Sequence, residues 1–277
     1  MVKHGISISK RGRFGKKWLF YGNQIVQMII ICFLIISCFF VCKNTESRAN
    51  KGMFLISGGC INENSANTRS YTQISISVSD CFFVRSLQYS GSGSVIYVNG
   101  GTLSMFISST TFYSCSCSSY GGAIFFISSN SDIKKICAHR CSASSYNHFA
   151  YLQGSQDNFV EFLSISYCSP SLSGYTSVCL SGGNQKVFNT NSSMNNANQV
   201  SGILNSNLLT HISSFCVFSN DISSNSKCIF YENDPGTISY TNFVHNTSPS
   251  LGVIHVSGGS PKMEYCVFNS NQDILFS

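Results

Sequence analysis

The chain has 277 residues, of which 43% are hydrophobic and 10% charged. An average soluble domain carries roughly 25% charged residues, so this composition excludes a disordered or coiled-coil chain and allows a sizeable core. Six of the 17 Lys and Arg residues lie within the first 17 residues, and the other eleven, from Lys43 onward, are matched by 11 Asp and Glu residues. A basic nucleic-acid-binding domain is not supported, because no positive patch remains to neutralise phosphates.

An uncharged apolar segment follows the basic N-terminus. Residues 25–42 have only Gln27 and Ser37 as polar interruptions. A helix of this length reaches ~27 Å, close to the ~30 Å of a hydrocarbon core. Trp18 and Tyr21 precede it, where amphipathic rings favour the headgroup layer. The sequence therefore predicts one membrane-spanning helix.

The charges beside this segment predict its orientation. Six cations lie upstream and three lie just downstream, and an excess of Lys and Arg marks the cytosolic side. The predicted divisions are a basic cytosolic tail at 1–24, a transmembrane signal-anchor helix at 25–42, a linker at 43–52 and an extracellular or lumenal body at 53–277. Two alternatives stay open: a signal peptide cleaved near Asn50, which gives a secreted protein, and a buried helix of a soluble protein.

The body repeats a short apolar strand that ends in small residues. Copies occur at 54–59, 95–101, 123–129, 150–155, 177–183 and 253–259. A second unit places Phe218, Phe243 and Phe268 at intervals of 25 residues. Extending this register upstream gives approximate equivalents at Met194, Cys168, Arg140, Phe112 and Phe83.

A period of ~25 residues with Gly, Ser and Asn turns is typical of one coil of a parallel β-helix, which buries its apolar face by stacking on its neighbours. The sequence therefore predicts an all-β solenoid of about eight coils. A β-sandwich is the main alternative, because its strands also recur every ~8–12 residues. It does not explain the longer period, and hairpin signals are limited to Asn99-Gly100.

Short motifs within the repeats resemble a known family. A GGAI tetrapeptide stands at 121–124, and FxxN tetrapeptides stand at 188–191, 243–246 and 268–271. These resemble the repeats of polymorphic outer-membrane-type β-helix proteins, and the Ser, Asn and Cys-rich texture resembles surface proteins of parasitic protists such as trichomonads. The resemblance covers roughly 53–277 and implies a right-handed parallel β-helix of the pectin-lyase-like class with an adhesive surface role. GGAI occurs once, and after Phe218 the Asn comes one residue early, at Asn220.

Pectin-lyase-like folds also carry lyases and glycosidases, which need carboxylates that converge on one site. The acids of the body are scattered, and the one close pair, Glu232 and Asp234, adjoins an Asp-Pro-Gly turn signature. The sequence therefore predicts no catalytic residues and no cofactor. A non-catalytic adhesion or interaction module is expected, with a polysaccharide lyase or glycoside hydrolase as the alternative and a structural stalk or coat protein as the third reading.

Cys137, His139 and Cys141 are spaced to share one face of a strand, as are Cys115 and Cys117. A flat row suits tetrahedral zinc poorly, so structural thiols or disulfide partners are favoured and no metal site is predicted.

Eleven cysteines lie in the body. Neighbouring coils bring equivalent Cα atoms to ~4.8 Å, which makes disulfides between them feasible. Cys216 and Cys266 are two coils apart and are expected to be buried thiols.

Asn191 and Asn246 begin Asn-x-Ser/Thr sequons and are the candidate glycosylation sites. Both asparagines also end FxxN units, and an inward asparagine cannot carry a glycan. The expected partners are one membrane and a glycan or protein ligand on a host or other surface. The oligomeric state is not predicted.

Overall fold

A computed structural model describes residues 46–50, 53–62, 69–71, 75–88, 90–169, 173–224, 227–234 and 236–273. The predicted cytosolic tail and membrane helix lie outside the described residues. The description concerns the unit Lys43–Ser277. It is an all-β parallel solenoid of about seven turns, which confirms the predicted fold class with about one coil fewer than expected.

The longest sheet, face A, has fourteen strands among the described residues. Its early strands are Met53–Asn62, Ser75–Val84, Ser104–Tyr113, Asn130–His139 and Asp157–Ser166. In later coils a short gap divides each into two, giving Asn184–Phe188 with Asn191–Ser193, Thr210–Ser214 with Val217–Ser219, Thr237–Ser239 with Asn242–Val244, and Lys262–Glu264 with Val267–Asn269. Glu46–Asn50 joins this sheet as an antiparallel neighbour of Met53–Ser57.

Two further faces complete each coil. Face B consists of Arg69–Tyr71, Ile96–Asn99, Ile124–Ser128, Ala150–Gly154, Thr176–Ser181, Val200–Ser206, Ile229–Asp234 and Ile254–Gly259. Face C has two short sheets, Leu87–Gln88, Ser116–Cys117 and Ser142–Ala143, and then Asn196–Ala197, Ile222–Ser223, Thr247–Ser248 and Gln272–Asp273. Each strand pairs with its equivalents one coil away, so the ~25-residue period belongs to a solenoid rather than to a sandwich.

The chain bends twice along face A, each time at a residue with positive φ. The first bend row is Asp80, Ser109, Lys135, Phe162, Asn189, Phe215, Tyr240 and Tyr265, and the second is Arg85, Ser114, Arg140, Tyr167, Met194, Asn220, His245 and Ser270. Their φ values lie between 47° and 56°, the left-handed region that non-glycine residues enter at a cost. The second bend lies five positions after the first in each coil, which fixes the inward positions between and after the two bends.

The inward row between the bends corrects the predicted register. It runs through Phe83, Phe112, Ala138, Ile165, Ser192, Phe218, Phe243 and Phe268. The predicted equivalents Phe83 and Phe112 are confirmed, whereas Arg140, Cys168 and Met194 are wrong by two or three residues. Ala, Ile and Ser replace Phe in the middle coils, so the aromatic signal that marks the row is lost there.

Stacked apolar side chains form one continuous core from Ile76 to Ile254. Phe83 stacks on Phe112 with ring centroids 5.3 Å apart, and Phe243 stacks on Phe268 at 4.9 Å. Each coil also packs across the interior, as where the rings of Phe112 and Phe149 lie 5.5 Å apart, and stacking on the coils above and below completes the burial that a solenoid requires.

Candidate functional site

An inward column of three amide side chains and one carboxyl group follows the second bend in the later coils. This asparagine column consists of Asn195, Asp221, Asn246 and Asn271, and its first three members are fully buried. Each side-chain Oδ1 accepts a hydrogen bond from the backbone N–H of the preceding column position. These distances are 2.9 Å from Cys168 to Asn195, 2.9 Å from Asn195 to Asp221, 3.0 Å from Asp221 to Asn246 and 3.0 Å from Asn246 to Asn271.

Each asparagine of the column also donates to the coil before it. Asn246 Nδ2 donates to the Phe218 carbonyl oxygen at 2.9 Å, and Asn271 Nδ2 donates to the Phe243 carbonyl oxygen at 2.9 Å. A bend leaves backbone groups without a strand partner, and a buried unpaired group is costly. The FxxN spacing therefore has a physical meaning: an inward Phe, a bend, and an Asn that satisfies the neighbouring coil.

The structure changes the assignment of two FxxN units. Asn191 lies on face A beside Ser164 and Val217, outside the column, so the tetrapeptide that starts at Phe188 is out of register. Asp221, rather than Asn220, takes the column position after Phe218, because Asn220 is itself the bend.

Asp221 differs from the asparagines of the column because its ionised side chain can only accept hydrogen bonds, whereas each asparagine both accepts and donates. Its carboxylate cannot donate to the Ser192 carbonyl oxygen as an Asn would, and instead Ser192 Oγ donates to Asp221 Oδ2 at 2.7 Å. Asn195 adds its backbone N–H at 2.9 Å and its Nδ2 at 3.2 Å, both to Oδ1. Burial raises the pKa of Asp221 to about 7, although the hydrogen bonds from Asn195 and Ser192 oppose the rise.

The two candidate glycosylation asparagines have different environments. Asn246 is fully buried, and its Nδ2 donates to Phe218 O and to Asn271 Oδ1. Asn191 is only half-buried on the outer side of face A. Column use and a glycan exclude one another at Asn246, which leaves Asn191 as the sequon with an outward side chain.

The structure separates the predicted Cys137, His139 and Cys141 set. The bend at Arg140 lies inside it, so Cys141 is fully buried while Cys137 and His139 are half-buried on the opposite side of the strand. The expectation that all three share one face is wrong. The described ranges hold no group of three or more His, Cys, Asp or Glu side chains arranged for a metal ion.

Three thiols occupy the column position in earlier coils. This thiol column consists of Cys115, Cys141 and Cys168, all fully buried. Cys141 Sγ donates to the Phe112 carbonyl oxygen at 3.6 Å, and Cys115 Sγ donates to the Phe83 carbonyl oxygen at 3.7 Å. Burial raises the pKa of Cys115 well above its usual value, and the neighbouring Cys141 thiol raises it further.

Elsewhere, Cys216 is a buried free thiol, as expected, whereas Cys266 is a free thiol that is only half-buried. Burial raises the pKa of Cys216 to about 11.

His148 is a fully buried histidine that the sequence did not single out. Its Nδ1 accepts from the Ala143 backbone N–H at 3.2 Å, so Nε2 carries the hydrogen and donates to the Ser173 carbonyl oxygen at 2.7 Å. Burial lowers the pKa of His148 to about 4. A neutral, doubly hydrogen-bonded ring is suited to joining coils.

The one close acidic pair lies at the end of a strand on face B. Strand Ile229–Asp234 runs through Glu232 and Asp234, which pair with Ser257 and Gly259.

An exposed row of stacked aromatic rings marks the outside of face A. This outer aromatic column consists of Phe215, Tyr240 and Tyr265, which are 58%, 49% and 72% exposed. Their ring centroids are 5.0 and 4.9 Å apart, and the planes differ by 7° and 10°. All three sit in the first bend row with positive φ.

A second aromatic group covers part of face B. Phe125 stacks between Tyr97 and Tyr151 at 5.1 and 5.4 Å, and Tyr120 lies edge-on to Phe125 and stacks on Tyr146 at 4.1 Å. Phe125 is 7% exposed although it points outward. The neighbouring rings cover Phe125, whereas Tyr146 at the edge of the group is 40% exposed.

No family model, curated protein or solved structure matches the chain. Among the residues that the structure describes, none forms a helix with the length and apolar character of a membrane crossing. The predicted span at 25–42 lies outside them.

Proposed function

We propose that this protein is a single-pass membrane protein that displays its solenoid outside the cytosol as a non-catalytic interaction module. The outer aromatic column is its contact surface, and its ligand is a glycan or protein on another surface. The exposed, bent aromatic column carries the proposal, and the apolar segment at 25–42 with its basic flank supports the anchor.

The fold itself does not need aromatic rings at these positions. Other coils place Asp80, Ser109 and Asn189 in the same bend row with the same positive φ. A bulky non-glycine residue in this region is strained by ~1 kcal/mol, and rings that stay 49–72% exposed recover only part of the energy that full burial would give. Three consecutive coils carry both costs. Tyrosine and phenylalanine are enriched where proteins bind partners, which offers a reason to keep them.

The corrected register supports the likeness to GGAI and FxxN surface proteins. Phe218, Phe243 and Phe268 share one inward row, and Asp221, Asn246 and Asn271 share the column three residues later. The adhesive role that this likeness implies agrees with a solenoid fold. Its inward rows of residues maintain the fold, and its outward rows are available to contact a partner.

Insertion of the full chain into microsomes tests the membrane placement. Added protease is expected to remove the basic tail and leave the body protected, and Asn191 provides a second readout through a shift in gel mobility after deglycosidase treatment. A body that the protease digests in sealed microsomes would contradict the placement.

A binding screen tests the contact surface. The purified full chain is applied to a glycan array and to a panel of extracellular matrix proteins, beside a variant with Phe215→Asn, Tyr240→Asn and Tyr265→Asn. Asn suits positive φ, so the variant is expected to fold and to lose binding at least tenfold.

The matched control is Phe106→Ser, which removes another exposed aromatic ring from face A at a position paired with Ser77. It is expected to bind like the unaltered protein. Equal binding by the triple variant would remove the aromatic column from the proposal, and no binding to either panel would refute the interaction module.

A further inference from the structure

Among the ten cysteines whose side chains the structure describes, the thiol column holds the only ones at equivalent positions of consecutive coils. The backbone places them side by side, because Ser142 N donates to Cys115 O at 3.0 Å and Ser169 N donates to Cys141 O at 3.0 Å. Other cysteines have different neighbours: Cys117 pairs with Ala143, and Cys137 lies between Thr111 and Ser164.

Adjacent parallel positions are ~4.8 Å apart between Cα atoms, inside the 4.4–6.8 Å range of disulfides. All three side chains point into the same interior, and the Cys141 thiol interacts with the thiols of both Cys115 and Cys168. Cys115 and Cys168 are separated by two coils, ~10 Å, which no disulfide spans.

We propose that the thiol column is a disulfide-forming site in which Cys141 bonds to either Cys115 or Cys168 and joins neighbouring coils. One thiol of the three always remains reduced. The oxidant is a small-molecule disulfide of the glutathione class.

The chemistry proceeds in two exchanges. The Cys141 thiolate attacks one sulfur of the small disulfide and releases a thiolate, which takes up a proton. The neighbouring cysteine, deprotonated in turn, then attacks the Cys141 sulfur of the mixed disulfide and releases the second small thiol. Two protein thiols are oxidised, and one small disulfide is reduced to two thiols.

The folded column does not react, because all three sulfurs are fully buried. Burial also raises the pKa of Cys115 and Cys141 well above the usual value, which keeps these two in the unreactive thiol form. The bond therefore forms during folding, before the coils close. Once formed, it is sealed inside the core. The disulfide reduces the conformational entropy of the unfolded chain, because it closes a loop about one coil long. We therefore expect it to raise the denaturant concentration at the unfolding midpoint.

Refolding of the full chain in defined redox buffer tests the site. Denatured protein is refolded with a mixture of reduced and oxidised glutathione, alkylated, and digested with trypsin and an endoproteinase that cleaves after Glu. Cleavage after Arg140 and Glu161 places the three cysteines on separate peptides. Peptides that join Cys141 to Cys115 or to Cys168 are expected, and none that joins Cys115 to Cys168.

Serine variants separate a column disulfide from random oxidation. Ser86 precedes the thiol column at the same inward position, so serine is tolerated there. Cys115→Ser is expected to leave only the Cys141–Cys168 bond, and Cys141→Ser to leave neither. Cys117→Ala, which matches its neighbour Ala143, is the control that keeps both.

Alkylation of all three column cysteines after oxidising refolding would overturn the proposal, as would column links that persist in Cys141→Ser. Addition of the same buffer to protein already folded in reductant is expected to give no links. The result does not depend on the proposed membrane placement, because the refolding buffer supplies the oxidant. The protease-protection experiment tests the placement separately.

Discussion

Replacement of Asp221 by Asn is expected to stabilise the protein at neutral and alkaline pH. The other members of the column are asparagines that donate to the preceding coil, and an Asn at 221 would face the Ser192 carbonyl oxygen in the same way. The substitution keeps the shape of the side chain and removes its charge from a site with no exposure.

The magnitude follows from the pKa of Asp221. The folded state raises it from 3.8 to about 7, so between these values the folded protein holds a proton that the unfolded chain has lost. The carboxyl group therefore contributes stability that is present below pH 3.8 and is lost as the pH rises to about 7. The loss amounts to ~4 kcal/mol. Asn does not titrate. The free energy of unfolding of the Asn variant minus that of the unaltered protein is therefore expected to rise by ~4 kcal/mol between pH 3.8 and about 7 and to stay constant above that.

Urea unfolding of the full chain, followed by circular dichroism from pH 4 to pH 9, measures this difference. The quantity to compare is the free energy of unfolding of the variant minus that of the unaltered protein at each pH, because other groups titrate in the same range. Asp80→Asn is the matched control, since Asp80 is exposed at a bend that suits asparagine. A difference curve that stays flat for Asp221→Asn would refute the buried-carboxylate reasoning.

Three further outcomes are expected. Ser192→Ala removes the hydroxyl that donates to ionised Asp221 and should cost ~2 kcal/mol above pH 7 in urea unfolding but much less at pH 4; an equal cost at both would show that the bond does not depend on charge. Gly122→Ala places a Cβ 2.0 Å from the His148 carbonyl oxygen, so a loss of ~3 kcal/mol or failure to fold is expected, against ~1 kcal/mol for Gly100→Ala, where nothing lies within 4 Å. Because burial lowers the pKa of His148 from 6.5 to about 4, the stability it contributes above pH 6.5 is lost as the pH falls to 4. That loss is ~3 kcal/mol, and His148→Gln should flatten that part of the unfolding profile.

The sequence predicts the register of the coils correctly where the repeat is most regular. Phe218, Phe243 and Phe268 keep identical residues at identical spacing, and their inward row is confirmed. Where Ala138, Ile165 and Ser192 fill the same row, composition no longer marks it, and the register was misplaced. The spacing that remains constant in each coil is the offset of five positions from the first bend to the second, and residues as different as Lys135, Phe162 and Asn189 form the first bend.

The candidate sites divide in the same way. Sequence spacing identified cysteines on neighbouring coils as a feasible crosslink, but which of them are neighbours depends on the bend at Arg140. The roles of Asp221 and Ser192 were invisible, because a carboxylate and the hydroxyl that serves it lie 29 residues apart in the chain and 2.7 Å apart in space.

Sequence alone determined the all-β class, the coil length and the separation of a basic, apolar N-terminal segment from an electrically balanced body. These properties follow from composition and period, which are local. Tertiary structure decided which side chains point inward, since each left-handed residue reverses the alternation of inward and outward side chains until the next bend. It also decided which buried groups have partners, because in a solenoid each hydrogen bond of the column is completed by a different coil.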